Sequence, residues 1–313
     1  MQLTEDQIDK LESSVIGCSL STHWWGITRK ADVAIINNVA DSLGTNKKFL
    51  KIEKRLIDPK NLHYRALLET KSALVGVWKD LTLPYTEPGT RLLRKDLVEK
   101  FESHMSGFKA EMEARVVDLA NNYQQLKSES RTSLGNLYKD EDYPHDITSL
   151  FSFHWEYPNL NPPEYLLMYN PALYKRQQEV VRAKFEEAIQ KAEKAFGGEL
   201  QDMVSLLVER MQPNEDGSRK KFMNATVSEN FKEFFDRFKN ISVSNSQDLK
   251  DIVQMAEGII EGVNPEYLKT DGLARQDLAN KMQEVSRLLE SKIGVQPRRK
   301  IIRAEAVVPA GAA

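Results

Sequence analysis

The sequence predicts a mainly α-helical protein with a small β element, an α+β chain built on a long antiparallel, coiled-coil-like helical hairpin and a C-terminal helical cluster. Three observations indicate this class. Apolar residues recur at steps of three and four over 97–126, a second run of similar period covers 173–211, and short alternating segments lie outside both runs. With 313 residues, the chain is long enough for about two structural units of roughly 150 residues each.

The N-terminal region, residues 1–90, is expected to combine a short helix, two strands and a longer helix. A capping signal followed by apolar residues at helical spacing predicts a helix over 4–14. Residues 15–27 are small, β-branched or aromatic, and 49–57 alternate, so both segments predict strands. A helix over 61–80 follows, and a Pro- and Gly-containing loop closes the region.

Residues 91–213 predict the helical hairpin. The heptad-like spacing of 97–126 indicates one long amphipathic helix, and a second begins after Pro171 and continues to Pro213. Basic and acidic side chains are balanced along both helices, so we interpret the charges as solvated faces. Gly197-Gly198 is expected to interrupt the second helix.

A Pro-rich insertion over 138–171 separates the two helices of the predicted hairpin. Its alternating segment 150–157 predicts a strand. Residues 214–294 predict a cluster of C-terminal helices, and 295–313 have too few apolar residues to pack, so we expect a flexible tail or an added edge strand.

Charge and cysteine content limit the partners and the location. The chain has 44 basic and 46 acidic side chains, a net charge of -2, so no global positive charge attracts nucleic acid or a membrane surface. The single Cys18 cannot form an intramolecular disulfide, and no apolar stretch approaches the ~20 residues that span a bilayer. We expect a cytoplasmic protein with no membrane partner.

The sequence lacks the patterns that catalysis requires, and we expect no enzyme, no cofactor and no metal site. It contains no phosphate-binding glycine loop and no nucleophile elbow, and no histidine has a second His or Cys three or four residues away. Cys18 lies in a predicted strand and is expected to be buried. The acidic segment Asp140 to Asp146 is interpreted as a surface loop, with a metal-dependent enzyme as the alternative.

Two clusters are candidate binding residues. The adjacent Trp24 and Trp25 could stack on bases or hold a partner, although strand alternation points them to opposite faces and favours a core role. A basic cluster could contact phosphates, although a solvated tail is the favoured interpretation. Its members are Arg298, Arg299, Lys300 and Arg303.

The order of elements over residues 15–240 resembles an uncharacterised bacterial and phage family known only as a domain of unknown function. The resemblance rests on the segments 19–26 (SLSTHWWG), 51–59 (KIEKRLIDP) and 150–153 (LFSF) and on Leu83-Pro84. Genes of that family often lie near a MoxR-type AAA+ ATPase. The resemblance therefore implies such an ATPase as a partner, and it implies no catalytic residues.

Together these observations favour a non-enzymatic cytosolic interaction or assembly protein. Apolar helix faces would contact each other or another chain, and an uncovered face would produce a homo-oligomer. The alternative is a phage-associated nucleic-acid-binding protein that uses the basic C-terminal cluster and the tryptophan pair.

Overall fold

A computed structural model describes residues 12–211, 225–241, 246–263, 268 and 271–295. Residues 9–182 form one compact unit, the N-terminal unit, and residues from 183 onward belong to a second, the C-terminal unit. The predicted class, mainly α with a small β element, is confirmed. The predicted helix 4–14 lies outside the described residues except for 12–14, which are helical.

In the described part of the chain, four strands form an antiparallel sheet in the N-terminal unit, in the order β4-β5-β1-β6. β1 (Val15–Trp24) pairs through its first half with β5 (Thr90–Arg94) and through its second half with β6 (Phe151–Glu156). The strands predicted over 15–27 and 150–157 are therefore present, as β1 and β6.

The β hairpin of β4 (Thr82–Pro84) and β5 was not expected, because that segment was predicted to be a loop leading into a long helix. Strands of three and five residues are too short to display a period in the sequence, and the pairing partner supplies the backbone hydrogen bonds that create them.

A helical hairpin does form in this unit, but its partners differ from the prediction. α2 (Leu62–Leu81) runs directly into β4, and β5 leads into α3 (Val98–Asn121), so the two helices pack antiparallel beside the β hairpin. The Thr70 hydroxyl donates to Glu111 Oε1 across them at 3.0 Å. The sequence had paired α3 with the helix after Pro171. Heptad spacing identifies the buried face of a helix, not the element that covers it.

The buried face of α3 follows the predicted series, in which Phe108 is half-buried. The buried side chains are Phe101, Met105, Met112, Val116 and Leu119. The helix breaks at Asn122 instead of continuing, and α4 (Tyr123–Leu134) buries Tyr123 and Leu126 of the same heptad-like series.

The predicted strand over 49–57 is much shorter than expected. Only β3 (Glu53–Arg55) is extended and paired, and its partner is β2 (Thr28–Lys30), which is separated from β1 by a short link. Between β2 and β3 the chain forms α1 (Val33–Ser42) and a 3-10 turn, Lys47–Phe49.

The remaining α-helices in the described part of the chain are α5 (Tyr165–Tyr169), α6 (Pro171–Met211), α7 (Ala225–Ile241), α8 (Gln247–Glu261) and α9 (Gly272–Leu288). Phenylalanines of α6 and α7 pack together in the C-terminal unit, where Phe196 contacts the rings of Phe234 and Phe238 edge-on. None of the described helices is long and apolar enough to cross a bilayer.

α6 continues through Gly197-Gly198, so the expected interruption is wrong. A Cβ at Gly197 would lie 3.0 Å from Ile293 Cγ2, in the turn that follows α9. The glycine therefore permits a close approach of that turn to the helix, a packing requirement that outweighs the poor helix propensity of glycine.

Candidate interaction site

We call residues 28–55 the arm. Its base is the β2–β3 ribbon, in which Thr28 opposes Arg55 and Lys30 opposes Glu53. Two further hydrogen bonds extend the ribbon: Leu56 N donates to Ile27 O at 2.7 Å on the side of the body, and Ala31 N donates to Ile52 O at 2.9 Å at the other end. Beyond that bond the chain leaves the ribbon to form α1 and the 3-10 turn, which together with the turn between them we call the tip.

The tip is apolar and exposed. α1 has the sequence VAIINNVADS and is amphipathic: on its apolar face Ala40 is buried, and Ile35, Ile36 and Val39 are half-buried. Large apolar side chains of the tip are open to solvent: Phe49 is 85%, Val33 68% and Leu43 67% exposed. Large apolar side chains that are exposed close together along the chain are typical of an interaction surface.

The charge of the arm is positive. Residues 28–55 contain seven basic and three acidic side chains, a difference of +4. Two of the three carboxylates already have cationic partners within the fold, because Asp32 pairs with Lys139 and Glu53 with Lys51. Lys47 and Lys48 are exposed at the tip and form no ion pair with any residue that the structure describes.

The acidic segment 139–146 fixes the arm to the body of the N-terminal unit. Lys54 of β3 is only 7% exposed, and its Nζ lies 2.6 Å from Asp142 Oδ2 and donates to the Leu137 carbonyl at 2.6 Å. The Tyr143 hydroxyl donates to the Leu56 carbonyl at 2.6 Å, just after β3. We call these contacts, together with the Lys139–Asp32 pair, the root of the arm.

Two other carboxylates of the acidic segment, which could have formed a metal site, also have partners within the fold. Asp140 accepts from the Tyr138 hydroxyl and pairs with Lys127, and these two contacts, in that order, lower the pKa of its carboxyl. Asp146 accepts from the backbone and hydroxyl of Thr148. Among the described residues no group of three or more His, Cys, Asp or Glu side chains is placed to hold a metal ion. The acidic segment instead holds the arm against the body of the N-terminal unit.

A second apolar patch lies on α5, in the same unit. Its sequence is YLLMY, and four of its five side chains are exposed, with Met168 at 86% and Tyr169 at 84%. Continuous exposed apolar runs of this length are rare on protein surfaces outside binding sites. We call Tyr165–Tyr169 the α5 patch.

The predicted binding residues lie elsewhere. Trp25 is 5% exposed and contacts the Tyr123 ring edge-on, while Trp24 packs edge-on against Phe151, with Lys71 Nζ 4.4 Å from its ring centre. Trp25 therefore belongs to the core of the N-terminal unit, and the half-buried Trp24 packs against that core. The basic cluster lies outside the described residues; its members are Arg298, Arg299, Lys300 and Arg303.

Two arrangements resemble catalytic groups but lack essential parts. The Cys18 thiol is fully buried, and burial raises its pKa to about 11, so it is not an activated nucleophile. Ser21 Oγ lies 2.7 Å from His154 Nε2 on the exposed face of the sheet. Glu156 approaches the same nitrogen at 3.8 Å rather than Nδ1, so it does not orient the ring as the acid of a triad does.

No protein-family model, curated protein or solved structure matches this chain. The resemblance to the family of unknown function, and the ATPase partner that it implies, therefore stay predictions.

The sequence reasoning missed the arm entirely. One signal was available: the apolar residues of 33–40 form a stripe at helical spacing, and lysines follow shortly afterwards. Such a segment predicts an amphipathic helix, and only the tertiary structure shows that Val33, together with Leu43 and Phe49, stays exposed.

Proposed function

We propose that this chain is a non-enzymatic interaction or assembly protein and that the tip of the arm is its docking element for a partner protein. One observation carries the proposal: the large apolar side chains of Val33, Leu43 and Phe49 are exposed together at the end of a ribbon that the acidic segment holds in place.

The energetics favour binding at the tip. Burying a Val, Leu or Phe side chain contributes roughly 1.5–3 kcal/mol, so covering Val33, Leu43 and Phe49 supplies a large share of a specific affinity. The contacts at the root orient the tip before binding, which reduces the conformational entropy lost on association.

A MoxR-type AAA+ ATPase is the first partner to test, because the family resemblance implies it. The nucleic-acid alternative has no support among the described residues. Its basic cluster lies outside them, Trp25 is buried in the core, and Trp24 packs against the core.

The test compares three full-length proteins immobilised in parallel: the wild type, an arm variant with Val33→Ser, Leu43→Ser and Phe49→Ser, and a control variant with Leu273→Ser. Leu273 is 82% exposed and belongs to α9 of the C-terminal unit, so the control removes an equally exposed apolar side chain far along the chain from the arm.

The wild type and the control should retain the same partner from a lysate of the source cells, and the arm variant should lose it by at least tenfold, as judged by quantitative mass spectrometry. A purified ATPase of the resembling system is then measured with the same three proteins. Equal retention by all three would refute the arm as the docking element.

A further inference from the structure

The α5 patch has the composition of a protein-binding surface. Tyrosine and methionine are enriched at interfaces, because they offer large contact areas with few rotatable bonds or with a pliable thioether. Tyr165, Leu167, Met168 and Tyr169 are exposed in succession, so this surface exists before any partner binds.

The charge near the α5 patch is opposite to that of the tip. Residues 156–170 carry the carboxylates of Glu156 and Glu164 and no basic side chain, and the next cations are Lys175 and Arg176 within α6. The tip presents Lys47 and Lys48 beside its apolar side chains. An ammonium group can also lie over a tyrosine ring, as Lys127 does 5.8 Å from the Tyr143 ring centre in this unit.

The two surfaces are exposed at the same time in one folded unit, so the tip does not cover the α5 patch of its own chain. We propose that the tip of one copy docks on the α5 patch of a second copy, so that copies associate head to tail. This inference rests on the proposed function, since it names the chain itself as a partner of the arm. A contact between two different patches continues into a ring or a filament unless a closed dimer forms.

The contact should be weak. Three exposed side chains of the tip and four of the patch give an interface below the ~1,200 Å² of a standard complex, the size of weak and transient contacts. We expect a dissociation constant on the order of 10–100 µM. Association should therefore rise with protein concentration and fall with added salt, which screens the lysine–carboxylate attraction.

The experiment is size exclusion with light scattering on the full chain over roughly 5–500 µM, a range that brackets the expected affinity. It uses the wild type, the arm variant, a patch variant with Met168→Ser and Tyr169→Ser, and the Leu273→Ser control. The wild type and the control should exceed 35.8 kDa as concentration rises, and the arm and patch variants should each stay at 35.8 kDa.

An equimolar mixture of the arm variant and the patch variant tests directly whether the tip of one copy binds the α5 patch of another. The arm variant retains an intact patch and the patch variant an intact arm, so the mixture should form a complex of twice 35.8 kDa and nothing larger. Circular dichroism and Trp fluorescence of each variant verify that it is folded.

A wild type that stays monomeric throughout, a patch variant that associates normally, or a mixture that stays monomeric would each overturn the head-to-tail contact. Loss of association in the arm variant alone would indicate that two arms pair with each other, which also overturns it. None of these results affects the capture experiment, in which the arm binds a different protein, so the two failures are distinguishable.

Discussion

The root and the tip of the arm differ in which side chains are buried, although fewer than thirty residues form the whole arm. At the root, Lys54 is 7% exposed and contacts a carboxylate and a backbone carbonyl, each at 2.6 Å. At the tip, Phe49 is 85% exposed and only four residues away from β3. Polar groups are therefore buried where the arm joins the body, and apolar groups are exposed where it ends.

The difference separates two roles. Buried polar groups must be paired and hence fix one geometry, whereas exposed apolar groups contribute almost nothing to the stability of the isolated fold. The root should control where the arm stands, and the tip should control what it binds. Substitutions at the two ends can test this separation independently.

The largest expected effect follows from Asp142→Ala, which leaves the buried Lys54 ammonium without its carboxylate. Breaking a buried ion pair costs 3–5 kcal/mol, and because the Asp142 side chain is 20% exposed and the Leu137 carbonyl remains, we expect about 3 kcal/mol. Urea unfolding followed by Trp fluorescence measures it, since all four tryptophans precede residue 183 and report on the N-terminal unit.

The matched control for that loss is the double variant Lys54→Met, Asp142→Leu, which removes both charges and keeps apolar volume. It should regain most of the stability, because no unpaired charge stays buried. A single variant that loses less than about 1 kcal/mol would show that the pair does not hold the root.

Tyr143→Phe should have a smaller effect. It removes the hydroxyl that donates to the Leu56 carbonyl and leaves that buried acceptor unsatisfied, for an expected loss of about 1 kcal/mol in the same unfolding assay. Tyr138→Phe is the comparison, because the Tyr138 hydroxyl donates to the exposed Asp140 and its removal should shift the midpoint less. Equal losses from both would contradict a special role of the Tyr143–Leu56 bond.

The arm variant should change stability least among substitutions of large side chains. All three altered residues are more than two-thirds exposed, so the free energy of unfolding should stay within about 0.5 kcal/mol of the wild type while partner binding falls at least tenfold. A marked loss of stability would mean that the tip packs on the body, and the separation of roles would then fail.

Lys139→Ala tests whether an exposed contact at the root matters. Both side chains of the Lys139–Asp32 pair are nearly half exposed, at 44% and 46%, so solvent and salt screen the attraction and we expect no resolvable change in the urea midpoint. A midpoint shift as large as that of Tyr143→Phe would show that this surface pair helps to hold the arm in place.

Individual elements show which parts of the fold could be predicted from the sequence. The face that α3 buries, from Phe101 to Leu119, was predicted correctly, because burial of a helix imposes a period that the sequence records. The strands β1 and β6 were found for the same reason. The β4–β5 hairpin was missed because its strands are too short for a period, and the uninterrupted α6 was missed because the contact of Gly197 with Ile293 spans nearly a hundred residues.

The candidate site was beyond the sequence for a related reason. The candidate residues Trp24 and Trp25 are conspicuous by type, and the core role that strand alternation favoured agrees with the buried Trp25 and the half-buried Trp24. The acidic segment seemed a surface loop, and its contacts with Lys54 and Leu56 appear only when segments about 85 residues apart come together.

By itself, the sequence determined the class of the fold, the helical faces that are buried and the absence of familiar catalytic motifs, since each of these follows from local composition and spacing. The tertiary structure decided which helix covers α3, which carboxylates hold the arm and which apolar segments stay exposed. Those properties depend on contacts between distant segments, and an apolar residue has the same letter in the sequence whether a neighbour covers it or not.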